Sequence, residues 1–175
     1  MMEAFGQWES AFLLFLQNEV RVPVLTWLLT KLTVLGDAGL FWIALTICFL
    51  LLRKYRPVGR VMAVALLIDV VAVNVVIKNV VCRVRPYEVV EGLVPLIPRQ
   101  IDWSFPSGHA ASGLAAATAI LLTVEERWRY LPLVLSLVIC FSRLYVGVHY
   151  PSDVLAGIVV GVLCGVAAKK VCKRI

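Results

Sequence analysis

The chain has 175 residues, 61% of them hydrophobic, with a mean hydropathy of +0.91 and a net charge of +6. A soluble domain is about half apolar; here the excess sits in a few long blocks, which argues against a soluble domain and predicts one integral-membrane domain over residues 1–175. The basic residues gather at the ends of the apolar blocks, a pattern of membrane topology and not of a nucleic-acid surface, where basic side chains would form a patch or stripe.

Residues 1–36 are apolar but broken by Gln17, Asn18, Glu19, Arg21, Pro23 and Lys31. Two amphipathic helices lying in the interface are expected there, with a weak additional span as the alternative. The first basic residue is Arg21, so no positive region precedes the early apolar stretch and no cleavable signal peptide is expected. A bilayer-crossing helix needs about 20 apolar residues. Five stretches meet or approach this: 38–54, 59–81, 108–124, 130–148 and 153–170. The expected fold class is therefore all-α, a polytopic transmembrane bundle of five spans, or six, with residues 37–170 as its core.

The links differ in length. "RKYRPVGR" and "EERWRY" are short, "GVHYPSD" is a tight turn, and a longer polar loop joins the second and third spans. Asp69 and Asn74 fall inside the second span, where interhelical hydrogen bonding is the expected role. Asp37 is expected as a turn or cap. Trp42, Trp103, Tyr130 and Tyr150 fall near span ends, as interface anchors do. The five cysteines form no CxxC pair and read as small apolar side chains.

Arg53, Lys54, Arg56, Arg60, Arg127, Arg129, Lys169, Lys170, Lys173 and Arg174 mark one set of helix ends. The positive-inside rule makes that set cytoplasmic, including the C-terminus. The opposite, extracytoplasmic set should be poor in cations, yet it carries Lys78, Arg83, Arg85, Arg99 and Arg143. Arg83 and Arg99 read as head-group attraction or as rim solvation. Span parity alone brings Lys78, Arg85 and Arg143 to the same side as the only two histidines, His109 and His149.

Three cations repel one another unless an anion lies among them, and each would cost about 2.5–3.5 kcal/mol at a helix centre. Phosphate fits: arginine binds it in bidentate fashion and lysine as a point charge. In "PSGH", Ser107 can cap the helix starting near Gly108, and Gly108 lets an anion approach the free N–H groups. Asp153, four residues after His149, can fix that imidazole as a nucleophile, or can simply cap the last helix. Two histidines and three cations suit phosphoryl transfer, one histidine attacking phosphorus and the other protonating the leaving oxygen. No residue cluster has metal-ligand spacing, and no cofactor is expected.

The order Lys78 to Arg85-Pro86, Pro106-Ser107-Gly108-His109, then Ser142-Arg143 to His149 and Asp153 resembles the signature of the type 2 phosphatidic acid phosphatases, also called lipid phosphate phosphatases. The resemblance covers residues 36–170. It implies His149 as nucleophile, Asp153 as its partner and His109 as general acid. It further implies that Lys78, Arg85, Ser107, Gly108, Arg143 and Ser142 bind phosphate, without metal, at the extracytoplasmic face of a cell membrane. The expected substrate is a membrane lipid phosphate or diphosphate, with undecaprenyl diphosphate first and phosphatidylglycerophosphate or phosphatidate as alternatives. A transporter of anions or lipids is the alternative of another class.

Overall fold

The computed structural model describes residues 2–173, and every regular element among them is helical. The order is α1 (Met2–Phe15), a π-helical segment (Leu16–Val20), α2 (Pro23–Val34), a short 3-10 turn (Asp37–Gly39), α3 (Leu40–Leu51), a second 3-10 turn (Arg53–Tyr55) and α4 (Arg56–Asp69). A second π-helical segment (Val70–Ile77), α5 (Lys78–Val81) and α6 (Pro86–Val89) follow. After the long loop come α7 (Gly108–Leu121), a third 3-10 turn (Arg127–Arg129), α8 (Tyr130–Tyr145) and α9 (Pro151–Cys172). Proline opens or nearly opens α2, α4, α6 and α9, where its missing N–H has no helical partner to lose. Gly39, at φ +67°, turns the chain from Asp37 into α3.

Helices occupy all five stretches expected as spans. Length and hydropathy alone qualify two: the 37-residue helical run Arg53–Val89 and the 22 residues of α9. The second stretch, expected as a span from its length, is not one regular α-helix. Its middle is the eight-residue π-helical segment Val70–Ile77.

Helix α7 is the axis of the bundle and packs on α4, α8 and α9. It is buried without a break from Ala110 to Ile120. Its alanines allow close approach, and α9 answers with Gly157, Gly161 and Gly165 at four-residue spacing. A Cβ at Gly157 would lie 2.6 Å from Ser107 O, one at Gly165 2.6 Å from Thr118 Cβ, and one at Gly161 would overlap Ala111 O. Small-residue contact of this kind is how helices associate without a hydrophobic driving force between them. Trp42, Phe49, Met62, Ala115, Ile120 and Ile139 form the main apolar core around this axis.

Helices α1 and α2 gather at one end of the bundle. Thr26 Oγ1 lies 2.9 Å from Tyr145 OH, and Arg143 Nη1 donates to Thr33 Oγ1 at 2.6 Å. Leu29 packs with Tyr87, Tyr145, Val146 and Val148. Trp8, Phe15, Val24 and Trp27 turn outward.

Candidate active site

The end of the bundle covered by α2 holds a cavity of about 290 Å³. Lys78, Arg85, Gly108, His109, Arg143 and His149 all line it, from α5, the loop after it, α7, α8 and the turn before α9. The three cations are nearly inaccessible, at 6%, 5% and 1% exposure for Lys78, Arg85 and Arg143. Burying three like charges together is costly, so their proximity needs anionic compensation. The π-helical segment ends directly at Lys78. The same segment begins after Asp69, and both Asp69 and Lys78 line the cavity although a regular helix would separate them by two and a half turns. Asp69 Oδ1 is buried without a hydrogen-bond partner, so the expected interhelical bond is not made at that atom.

Part of the compensation comes from Asp102, on the loop before Phe105-Pro106. Its carboxylate takes a bond from Lys78 Nζ, and Oδ1 accepts from Arg85 Nη2 at 2.7 Å. Burial pushes the Asp102 carboxyl up, but the Lys78 hydrogen bond and charge together with the Arg85 guanidinium outweigh it and hold the pKa down at about 2.

His149 is 1% exposed and stands between unlike neighbours. Its Nε2 lies 3.4 Å from Arg85 Nη1, and its Nδ1 lies 3.5 Å from Asp153 Oδ2. The guanidinium can only donate and the ionised carboxylate can only accept, so the proton belongs on Nδ1 and the lone pair on Nε2, toward the cavity. Burial lowers the His149 pKa, the Asp153 hydrogen bond opposes this, and the nearby Arg143 and Arg85 lower it again, to about 4. The ring is neutral at pH 7, the state a nucleophile needs. Besides facing His149, Asp153 caps α9, its Oδ2 accepting from Tyr150 N at 2.9 Å and from the Ser104 hydroxyl at 2.5 Å.

His109 opens α7 on the other part of the cavity wall, with Nε2 2.9 Å from Asp37 Oδ1. A carboxylate accepts only, so Asp37 holds a proton on that nitrogen. Gly36 packs so closely on the imidazole that a Cβ there would overlap His109 Cδ2.

Two expectations fail in detail. Ser107 takes the N-cap position of α7, but its hydroxyl makes no cap bond and has no partner among the described residues. Ser142 donates to Ile139 O at 2.6 Å, and neither it nor Ser107 is among the residues that line the cavity. Arg99 pairs with Glu88 at 3.2 Å on the exposed rim, as expected for solvation. Arg83 instead points away from the cavity, to Asp153 and the buried Glu9.

Asp102, Ser104 and Glu9 carried no expectation from the sequence, and Asp37 was expected only as a turn or cap. Each is a common polar residue in a loop or amphipathic helix with no fixed spacing to the motif it serves. Asp37 and Asp102 carried one usable signal: carboxylates on the face where unexplained cations collect.

A profile of the PAP2 superfamily matches residues 58–174. An undecaprenyl-diphosphatase of Sulfolobus acidocaldarius is 34% identical over 120 residues, which cover 69% of this chain and 58% of that protein. The undecaprenyl-diphosphatase BcrC of Bacillus subtilis is 40% identical over 95 residues, 53% of this chain and 47% of that one. The chain thus spans about half the length of these relatives. The crystal structure of a transmembrane PAP2 type phosphatidylglycerolphosphate phosphatase from Bacillus subtilis superposes with a TM-score of 0.79 at 25% identity, covering 98% of this chain and 88% of that chain. With both histidines and all three buried cations inside the matched segment, the chain belongs to the PAP2 superfamily.

Proposed function

We propose that the protein is a metal-independent membrane phosphatase that hydrolyses a lipid diphosphate, undecaprenyl diphosphate first, through a phosphohistidine on His149. The observation that carries this is the cavity itself: His149 Nε2, free of a proton, faces a space walled by Lys78, Arg85, Arg143 and His109. The names of the two undecaprenyl-diphosphatase relatives support the substrate choice.

In the first step His149 Nε2 attacks the terminal phosphorus, and the bond from phosphorus to the bridging oxygen breaks. His109, reacting as the imidazolium, gives a proton to that oxygen and becomes neutral, so lipid monophosphate leaves. In the second step His109 takes a proton from water, the water oxygen attacks the phosphohistidine, and phosphate departs with His149 restored. Lys78, Arg85 and Arg143 hold the phosphoryl oxygens while charge develops, and the buried setting makes each worth more than in water. Asp153 stabilises the positive charge that appears on His149. Ser107 and Gly108 offer a hydroxyl and the open start of α7 to the same oxygens.

Ile43, Leu66 and Val70 form an apolar wall of the cavity between α3 and α4, and Ile43 and Val70 are also exposed outward. A prenyl chain can lie in the bilayer there while its head group reaches the cations. On the positive-inside rule this end of the bundle is extracytoplasmic.

The test is phosphate release by purified protein in detergent with EDTA present, from undecaprenyl diphosphate, phosphatidylglycerophosphate, phosphatidate and a soluble sugar phosphate. Release in chelator with the highest kcat/KM for undecaprenyl diphosphate is expected. Activity lost in EDTA and restored by magnesium would contradict the metal-free reaction, and a preference for phosphatidate would replace the substrate.

Asp102 occupies two of the three cations until substrate arrives. Asp102→Asn should therefore tighten inhibition by inorganic phosphate about two- to five-fold, the equivalent of a half-exposed ion pair worth about 0.5–1 kcal/mol. Weaker inhibition would show that Asp102 holds Lys78 and Arg85 in place instead of competing for them.

A further inference from the structure

Arg83 lies two residues before Arg85, yet the two guanidiniums reach opposite sides of one imidazole. The left-handed Cys82, at φ +48°, redirects the chain after α5. Arg83 O then accepts from Ser104 N at 2.8 Å, which pins the segment. Arg85 goes to the Nε2 side of His149. Arg83 goes behind its Nδ1 side, where Nη1 donates to Asp153 Oδ1 at 2.6 Å and to Ser152 Oγ at 2.6 Å.

The other arm of the fork, Nη2, donates to Glu9 Oε2 at 2.6 Å. Glu9 belongs to α1 and is completely buried. Its second oxygen accepts from Ser152 N at 2.8 Å and from Ser152 Oγ at 2.6 Å. The guanidinium also lies over the Tyr150 ring, 3.9 Å from its centroid. The result is a closed set of charge-assisted bonds joining α1, the loop after α5 and the first turn of α9. Arg83 does not line the catalytic cavity, so none of this serves phosphate directly.

We propose that Arg83, clamped by Glu9, is a positioning residue that holds Asp153 ionised and aimed at His149, and so keeps His149 in the tautomer that attacks. This rests on the phosphohistidine reading above. A fully buried carboxylate stays ionised only with a cation or several donors beside it. Asp153 Oδ2 is already shared among Ser104, Tyr150 N and His149, so Oδ1 depends on Arg83. Glu9 in turn supplies the anion that fixes the second arm of the fork. The N-terminal helix, outside the residues matched by the family profile, thereby becomes part of the catalytic apparatus.

The experiment compares the full-length wild type with Arg83→Met, Arg83→Lys, Glu9→Gln and the double variant Glu9→Gln/Arg83→Met. The double variant neutralises Glu9 as well, so Glu9 is not left as a lone buried carboxylate if the single Arg83→Met fails to fold. His149→Ala is the inactive control. Arg83→Met is expected to lower kcat about 10–100-fold, as loss of a partner behind a reactive group does, with KM within two-fold. Glu9→Gln should fall less, and Arg83→Lys should recover part of the loss. The chain has only two histidines, so ¹⁵N-histidine spectra resolve His149 directly. Wild type should show the Nδ1–H form, and Arg83→Met a mixture of tautomers.

A lowered melting temperature with unchanged kcat and an unchanged His149 tautomer would reduce Arg83 to a structural staple and overturn the proposal. A raised KM at constant kcat would instead place Arg83 on the head group, and also overturns it. If wild type and His149→Ala alike release no phosphate, the phosphatase reading fails. The tautomer spectra still decide the Arg83 claim in that event, an unchanged spectrum overturning it.

Discussion

Replacing His149 with alanine is expected to remove phosphate release by about five decades or more, to the level of the uncatalysed background. The cations would still bind the phosphoryl group, but no nucleophile would remain on the far side from the leaving oxygen. Folding should survive. The His149 contacts are long, 3.5 Å from Nδ1 to Asp153 Oδ2 and 3.4 Å from Nε2 to Arg85 Nη1, so few strong interactions are lost. Removal also leaves more room around Arg85 and Arg143. The variant should therefore elute and melt in detergent like wild type. Substantial turnover by folded His149→Ala would transfer the nucleophile's role elsewhere, with His109 the next imidazole on the cavity wall.

His109→Ala is expected to lower kcat about 10²–10⁴-fold, the usual span for loss of a general acid. The loss should shrink as the leaving group becomes a weaker base, because a good leaving oxygen departs without a proton. Comparing a lipid phosphate with an aryl phosphate on both proteins measures this. An equal loss on both substrates would mean that His109 shapes the cavity and transfers no proton. His109 must react as the imidazolium, and Asp37, whose Oδ1 lies 2.9 Å from Nε2, is the anion beside it that favours that charge.

Much of the site was legible because its residues are tied to helix ends by short, fixed spacings. Lys78 and Arg85 bracket α5, His109 opens α7, and Arg143, His149 and Asp153 bracket one tight turn. Counting apolar blocks then placed all three segments at one end of a bundle. The cavity lined from these segments bears that placement out.

What stayed hidden depends on geometry with no periodic signature. The π-helical segment Val70–Ile77 has the same apolar composition as the α-helix expected there, so only the hydrogen-bond pattern separates them. That segment is why Asp69, expected to stand clear of the site, lines the cavity with Lys78. Ser107 was expected to cap α7 from its position and residue type, but its hydroxyl makes no cap bond and is buried without a partner among the described residues. Arg83 read as a head-group or rim residue because the sequence shows its charge and not the turn at Cys82 that redirects it. Its partner Glu9 is more than seventy residues away, in a helix whose packing no local pattern fixes.

The central claim is a phosphoryl group carried on His149 without metal, and the most direct measurement is to trap it. Wild type and His149→Ala would be mixed with undecaprenyl diphosphate labelled in the terminal phosphate, in EDTA, and quenched in alkaline detergent within one turnover. The account predicts label on the wild-type protein, stable to alkali and labile to acid as a phosphoramidate is, and none on His149→Ala. Rapid phosphate release from wild type with no protein-bound label, or equal label on the alanine variant, would contradict it.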